Sequence, residues 1–132
     1  MNISSDISGA MRAFSHDDAA GKITATFCFC ENLPVFAGHF PQMPILPGVI
    51  QIEMVRFAVA KALALPCAIV RIKKVKFRSP VLPGKRILAK IQLEASEDGK
   101  QLIRVRADLS EGGAAACRII IYLKPEETKQ TP

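Results

Sequence analysis

GHFPQMPILPGVIQIE, residues 38–53, is the stretch of the sequence that decides the fold. Its three prolines recur at every third position, and each proline fixes φ and removes a backbone donor. This spacing predicts a stiff, extended approach rather than a helix or a central strand. Pro47 suits the first turn of a helix, because the N–H that it lacks would have no partner there. We therefore predict a helix that begins near Gly48, after the extended segment that carries His39.

The composition is that of a folded single domain. With 132 residues, the chain can bury about two thirds of the surface of its unfolded state. Hydrophobic residues make up 49% of the chain and charged residues 23%, which excludes a chain too polar to fold. The N-terminus has no long apolar core, and the most apolar run contains charged residues, so we expect neither a signal peptide nor a membrane span. We predict one domain over residues 1–124, a disordered tail over 125–132 and a cytoplasmic location.

Alternation of apolar and polar residues predicts five strands, over residues 22–30, 68–77, 86–94, 102–109 and 115–123. The links 97–100 and 110–114 are short and contain glycine, as antiparallel hairpins require. Within the strand over 68–77, Lys73 and Lys74 interrupt the alternation, which predicts a β-bulge or an edge position. The strands therefore form an antiparallel sheet whose order is interrupted by one helix.

The helix, predicted over residues 48–64, has no single polar stripe. At 100° per residue, Arg56 and Lys61 lie on opposite sides of Glu53, and a helix without an outward polar face is largely buried. Its length of roughly 25 Å suits one helix wrapped by a curved sheet. A sheet folded around a central apolar helix is the hotdog arrangement. The predicted fold class is therefore α+β, a hotdog fold with an antiparallel sheet around one long helix.

Residues 38–53 also resemble the active-site segment of the β-hydroxyacyl-acyl-carrier-protein dehydratases. In that family the histidine of GHFP is followed by PxxPGV and, fourteen positions after it, by a helical glutamate, and here His39 and Glu53 are fourteen residues apart. KVKFRSPVLPGK, residues 74–85, resembles the strand and turn that follow the helix in that family. The resemblance runs from about residue 22 to 123. The short N-terminus is closer to the compact dehydratases of specialised pathways, which build aryl polyenes or other polyketide-like chains.

Removing water from a 3-hydroxyacyl thioester needs one base and one acid. His39 can accept the C2 proton, because histidine titrates near neutral pH, and Glu53 can deliver a proton to the C3 hydroxyl. The N–H groups of Gly48 and Val49 lie at the positive end of the helix dipole, and the missing Cβ of Gly48 lets a thioester oxygen approach them. The resemblance implies a dimer in which His39 and Glu53 of one site come from different chains. We expect no cofactor and no metal.

Other interpretations of these residues remain open. His39 can be a core histidine bound to a carbonyl, Glu53 can form an ion pair with Arg56 one turn on, and Gly48 can be a turn glycine. At the level of function, a hotdog acyl thioesterase shares the fold and the thioester chemistry. A non-catalytic acyl-binding partner subunit is the third possibility, and the short N-terminus and Arg56 both favour it.

The net charge of +6 is unevenly distributed. Residues 71–90 include eight basic residues and no acidic one, which is either a solvated strand face or a binding surface. Nucleic acid is a poor candidate, because the chain has no Trp and one Tyr to stack on bases. We predict instead that an acidic acyl carrier protein binds here, and we expect no membrane partner. The residues proposed for this contact are Arg71, Lys73, Lys74, Lys76, Arg78, Lys85 and Arg86.

The remaining chemically active side chains are assigned no role. The four cysteines show no CxxC pair and no nearby histidine at zinc spacing, so we expect reduced thiols. Cys28 and Cys30 share one face of a predicted strand, where we interpret them as small buried hydrophobic residues. His16 is expected to be a solvated residue in a turn-like segment.

Overall fold

The computed structural model describes residues 3–30, 45–95 and 101–126, which form two helices and six strands. In chain order these are α1 (Ile3–Ala10), β1 (Met11–Asp17), β2 (Lys22–Cys28), α2 (Gly48–Leu63), β3 (Cys67–Phe77), β4 (Arg86–Ala95), β5 (Ile103–Glu111) and β6 (Ala114–Pro125). Within the described ranges, neither helix is long and apolar enough to cross a membrane.

All six strands belong to one sheet, in the order β1-β2-β4-β5-β6-β3, and every neighbouring pair is antiparallel. The helix α2 follows β2 in the chain and packs mainly against β3, the short helix α1, β2 and β6. The predicted α+β hotdog arrangement, an antiparallel sheet around one main helix, is confirmed. Its five predicted strands correspond to β2 to β6.

The helix α2 is buried along most of its length. The helix residues with the least exposure are Ile50, Gln51, Met54, Val55, Ala58 and Val59. They pack against the inward-facing, alternating residues of the strands, among them Phe27, Ile119 and Ile121. The helix ends at Leu63, because Ala64 adopts a left-handed conformation with φ 55° and Pro66 cannot continue the helix. The prediction of a buried helix that starts at Gly48 is correct, and its end lies one residue earlier than predicted.

The strand β3 is at one edge of the sheet and pairs with β6 alone. Its register shifts twice, between Ile69 and Arg71 and between Ile72 and Lys74, so both the predicted irregularity and the edge position are confirmed. The hairpin between β5 and β6 turns at Gly112 and Gly113, which both have positive φ, as a tight two-residue turn requires. The other predicted hairpin, over 97–100, lies outside the described residues.

Two elements before Lys22 were not predicted. The strand β1 is the other edge of the sheet and pairs only with β2, so most of its side chains face solvent and show no apolar alternation. The expectation that His16 sits in a turn-like segment is wrong, because His16 lies in β1 with its side chain 16% exposed. The turn itself follows at residues 18–21.

The C-terminal end of the sheet extends into the segment predicted as a tail. The strand β6 runs through Pro125, and the backbone N–H of Glu126 donates to the carbonyl of Pro66 at 2.8 Å. The predicted boundary at residue 125 is therefore too early by two residues. Residues 127–132 lie outside the described residues, and disorder there stays a prediction.

Candidate active site

The predicted site residues are divided between described and undescribed parts of the chain. His39 lies within residues 31–44, which are outside the described residues, so its position is not part of the geometry below. The chain is described again from Ile45, and the N–H of Leu46 donates to the carbonyl of Val81 at 2.7 Å. Pro47 follows with φ −59° and ψ 146°, the extended conformation predicted for the proline segment, and helix α2 begins at the next residue.

The first turn of α2 has two backbone donors without an acceptor inside the helix. The N–H groups of Ile50 and Gln51 both donate to the carbonyl of Pro47, at 3.1 and 3.3 Å. The N–H groups of Gly48 and Val49 precede them and have no intrahelical acceptor. The Val49 side chain is 62% exposed, so this end of the helix is open to solvent. Two donors at the positive end of the helix dipole are the arrangement that can bind a developing oxyanion.

The side chain of Phe77 restricts position 48, in addition to any effect of a ligand. A Cβ atom at this position would overlap Cζ of Phe77, so the ring would have to move. The sequence-based explanation, that the missing Cβ admits the substrate, is therefore incomplete. The aromatic ring of Phe77 occupies the space beside the glycine, and any larger residue at position 48 must displace it.

A cavity of about 330 Å³ opens beside this first turn. It is lined, among the described residues, by Ile45, Leu46, Gly48, Gln51, Phe77, Arg78, Ser79 and Pro80. Its volume falls in the range of sites for small ligands, and most of its lining is apolar. The amide of Gln51 is 3% exposed, and its Nε2 donates to the carbonyl of Leu46 at 3.3 Å. The Gln51 Oε1 is buried, and no described residue donates to it.

Glu53 lies on another side of the helix, in an ion pair with Arg56. The Arg56 Nε donates to Glu53 Oε2 at 2.7 Å, and Arg56 Nη2 lies 2.5 Å from the same oxygen. The side chain of Arg56 is 27% exposed, and that of Glu53 is 26% exposed. Arg56 Nη1 also donates to the carbonyl of Cys67 at 3.3 Å. The ion pair that the sequence left as an alternative interpretation of Glu53 is thus confirmed.

Gly48 and Glu53 lie on different sides of helix α2. At 100° per residue they are about 140° apart around the helix axis. Glu53 is not among the described residues that line the cavity beside Gly48, and neither Asp nor Glu is present in that set. The described part of this cavity therefore contains backbone donors but lacks a carboxylic acid.

The seven predicted carrier-binding residues are all exposed, but they are spread over β3, the segment after it and the start of β4. Residues that pair directly across an antiparallel sheet point to the same face. Lys76 pairs with Arg118, and Lys74 lies in the next row, which also contains Arg106. Arg86, by contrast, begins β4, which is separated from β3 by two strands.

The outer face of the sheet carries a wider set of cations than the sequence indicated. Its two central rows contain Lys76, Arg118, Lys90, Lys74, Arg106 and Lys22, which we call the basic sheet face. The acidic residues beside them are already paired: Asp108 with Arg118 at 2.8 Å, and Glu94 with Arg104 and Arg106 at 2.9 and 3.2 Å. Only the strand register brings these residues together, because they come from five strands.

The cysteines differ in burial. Cys67 and Cys117 are buried, and burial raises the pKa of the Cys117 thiol to about 11. Cys28, which was expected to be buried, is only partly so. The interpretation of Cys30 as a buried residue is wrong, because β2 ends at Cys28 and Cys30 is exposed beyond it. The described residues contain no group of three or more His, Cys, Asp and Glu side chains that suits a metal ion.

Sequence reasoning missed three features of the site: the burial of Gln51 and two contacts between distant residues. The burial of Gln51 had a signal, since it is the one polar residue in an apolar stretch of the helix. The contact of Phe77 with Gly48 and the contact of Arg56 with Cys67 had none, because both join residues that are distant in the sequence.

Two features define the class of this protein. The first is a hotdog sheet around one main helix, and the second is a glutamate in that helix fourteen residues after the histidine of GHFP. The class is that of the hotdog dehydratases. The comparisons agree with it: the sequence model of the ApeI-like family, described as ApeI dehydratase, matches residues 15–116. The chain belongs to this family.

Individual relatives support the same assignment. The chain is 33% identical over 108 residues to the 3-hydroxyacyl-[acyl-carrier-protein] dehydratase FabZ of Chlamydia pneumoniae, covering 74% of this chain and 71% of that one. It is similar to the structure of the dehydratase heterocomplex ApeI:P from Xenorhabdus doucetiae, with a TM-score of 0.68 and 31% identity over 86% of this chain and 96% of that one. The PaaI protein of E. coli, at 12% identity and a TM-score of 0.66 over 92% of this chain and 86% of that one, shows the fold alone. The predicted family and the dehydratase activity are confirmed.

Proposed function

We propose that this dehydratase removes water from 3-hydroxyacyl thioesters carried on an acyl carrier protein. The products are trans-2-enoyl thioesters in fatty-acid or polyketide-like synthesis. The observation that carries this proposal is the cavity beside Gly48, an apolar space of small-ligand size at the start of α2, where the N–H groups of Gly48 and Val49 have no acceptor within the helix. A thioester carbonyl bound there would place its oxygen at the N–H groups of Gly48 and Val49.

The reaction then needs one proton removed and one delivered. The imidazole of His39 takes the proton from C2, and the C3–O bond breaks as the C2–C3 double bond forms. Glu53 gives a proton to the departing hydroxyl, so that water leaves. His39 returns its proton through solvent to Glu53, and both groups are restored. No electron is exchanged and no cofactor is required.

We propose that Glu53 reaches this site from a second copy of the chain. Two observations support the homodimer. The cavity beside Gly48 has no carboxylate among its described lining residues, and Glu53 lies about 140° away on the same helix. The edge strand β3 also leaves Val70, Ile72 and Phe77 roughly half exposed, and an unpaired edge with exposed apolar side chains favours pairing with another chain.

The carrier protein is proposed to bind through basic residues near this strand. Acyl carrier proteins are strongly acidic, and Lys74 and Lys76 of β3 are exposed on the outer face of the sheet. Opposite charges of this kind steer encounter and set its salt dependence. A cytoplasmic location, in which such a carrier would be met, stays a prediction.

The test uses two variants and their mixture. His39→Ala and Glu53→Ala should each abolish loss of water from a 3-hydroxyacyl-carrier substrate, measured by mass spectrometry. If each site takes His39 from one chain and Glu53 from the other, half of randomly paired dimers are mixed and each keeps one intact site. Co-refolding should therefore restore up to about a quarter of wild-type activity. No recovery in verified mixed dimers would exclude sites shared between chains, and full activity of either variant would exclude its residue from catalysis.

A second candidate is a non-catalytic acyl-binding subunit, which the Glu53–Arg56 ion pair favours because it engages the proposed acid. The X. doucetiae relative is described as a heterocomplex, so a different partner chain is compatible with this candidate. Bound acyl chain without turnover, and activity only after a partner is added, would support it. Release of free thiol from acyl thioesters would instead identify a thioesterase.

A further inference from the structure

The contact between Arg56 and Glu53 is asymmetric. Both Nε and Nη2 of Arg56 approach one carboxylate oxygen, Oε2 of Glu53. The other oxygen, Oε1, accepts no hydrogen bond from a described residue. We propose that Arg56 is a positioning residue for Glu53, which selects Oε1 as the oxygen that carries and delivers the proton. This inference rests on the proposed role of Glu53 as the acid.

The asymmetry follows from the donors of the guanidinium. Arginine has N–H groups and no acceptor, so a proton on Oε2 of Glu53 would point at other protons. The protonated acid must therefore hold its hydrogen on Oε1. When that proton moves to the substrate hydroxyl, negative charge develops on the carboxylate, and the hydrogen bonds from Arg56 become charge-assisted on both sides. Arg56 thus stabilises the carboxylate more strongly as the proton leaves, which is the condition for an effect on rate rather than on binding.

A third contact fixes the guanidinium itself. Arg56 Nη1 donates to the carbonyl of Cys67 at 3.3 Å, and Cys67 is a buried residue at the start of β3. The planar guanidinium is thereby held at one end by the carboxylate and at the other by the edge strand. A lysine ammonium lacks this rigid fork and cannot make both contacts in the same geometry. The acid is therefore aligned with β3, the strand that we propose to meet the second chain.

The sheet offers a matched control. Arg104 Nη1 lies 2.9 Å from Glu94 Oε2, in a pair whose side chains are 26% and 35% exposed. These values are close to those of Arg56 and Glu53, but Arg104 and Glu94 face away from α2, on the outer side of the sheet. Comparing Arg104→Met with Arg56→Met thus separates the general effect of losing an arginine–carboxylate pair from the specific effect of losing the contact to Glu53.

The experiment measures kcat and KM on a small 3-hydroxyacyl thioester, which removes any effect on carrier binding. Arg56→Met should lower kcat by about tenfold to a hundredfold with little change in KM, because a misaligned acid affects the chemical step. Arg56→Lys should recover only part of this loss, and Arg104→Met should behave as wild type. Equal kcat values for Arg56→Met and wild type, or equal losses in Arg56→Met and Arg104→Met, would overturn the inference.

Two further measurements separate positioning from a general structural role. Adding Arg56→Met to Glu53→Gln should not lower the residual rate further, because Arg56 acts through Glu53; a further loss would show a role independent of it. If Arg56→Met does not fold, Arg56→Lys decides, since full activity there excludes a fork-dependent contact. An active Glu53→Ala variant would overturn the proposed role of Glu53 as the acid and this inference together, while absence of dehydration by the wild-type chain would overturn the proposed function. An inactive Glu53→Ala with a fully active Arg56→Met would overturn the inference alone.

Discussion

The first two turns of helix α2 present two sides that are built differently. On one side Gly48 is closed over by the ring of Phe77, and the neighbouring Gln51 is almost completely buried. On the other side Glu53 is about a quarter exposed and is held by an ion pair with Arg56. Close packing thus holds the residues on the Gly48 side in place, whereas an ion pair holds Glu53 on the other side. Substitutions on the first side should affect stability and rate together, whereas those on the second should affect rate almost alone.

This difference also bears on how the sites are assembled. Glu53 lies about 140° around the helix axis from Gly48 and is not among the described residues that line the cavity beside Gly48. In the proposed dimer the two sides of each helix contribute to two different sites. The four predictions below test the contrast between shape and charge, from the largest expected effect to the smallest.

Glu53→Gln should lower the rate of dehydration by about 10²- to 10⁴-fold, the usual contribution of a general acid. The free energy of unfolding should change by no more than about 0.5 kcal/mol, because a partly exposed pair at i,i+3 contributes little to stability. Kinetics and urea unfolding of the same preparation check both values. A loss of stability large enough to explain the loss of rate would show that Glu53, like the residues on the Gly48 side, contributes to stability as well as to rate.

Gly48→Val should lower the rate by about a hundredfold, because its side chain displaces Phe77 and moves the N–H groups proposed as oxyanion donors. It should also cost about 1–3 kcal/mol of stability through overpacking. Phe77→Ala removes the clashing ring. The double variant should therefore lose less stability than the two single variants lose in total. Additive losses measured by thermal unfolding would show that the ring does not limit position 48.

The outer face of the sheet belongs to neither side of the helix, and changes there should affect only delivery of the substrate. Reversing the charge of Lys74 and Lys76 should lower kcat/KM for carrier-linked substrate by about tenfold at low salt, with a smaller loss at high salt. The small thioester should be converted at the wild-type rate. A variant with Arg12 of β1 and Lys61 of α2 reversed carries the same change in net charge away from β3 and is the control. Equal losses in both variants would assign the effect to net charge.

Gln51→Met should change the free energy of unfolding by no more than about 1 kcal/mol, the scale of one ordinary hydrogen bond. The change removes the bond to the carbonyl of Leu46 but also removes Oε1, which no described residue satisfies. These two effects oppose each other. A loss of several kcal/mol in chemical denaturation would instead show that the Gln51 amide makes a stronger contact than its bond to Leu46.

Much of the fold could be predicted because its signals are local. Pro47 and Gly48 determine where α2 starts, and alternation within each strand identifies β2 to β6. The edge strand β1 was missed for the same physical reason, since a strand that packs on one neighbour at the margin of the core needs no apolar alternation. The resemblance of residues 38–53 to the dehydratases was likewise local, and it identified the family correctly.

By itself, then, the sequence determined the helix start, five strands, the turn at Gly112 and Gly113, and the fourteen-residue spacing of His39 and Glu53. Chain stiffness, periodicity and glycine conformation act over a few residues, so they can be read without the fold. Tertiary structure alone decided that Phe77 covers Gly48, that Arg56 joins Glu53 to the start of β3, and that the cations of five strands form one face. Each of these contacts joins residues that only folding makes neighbours, so their energies depend on the register of the strands and the packing of the helix, which no local pattern encodes.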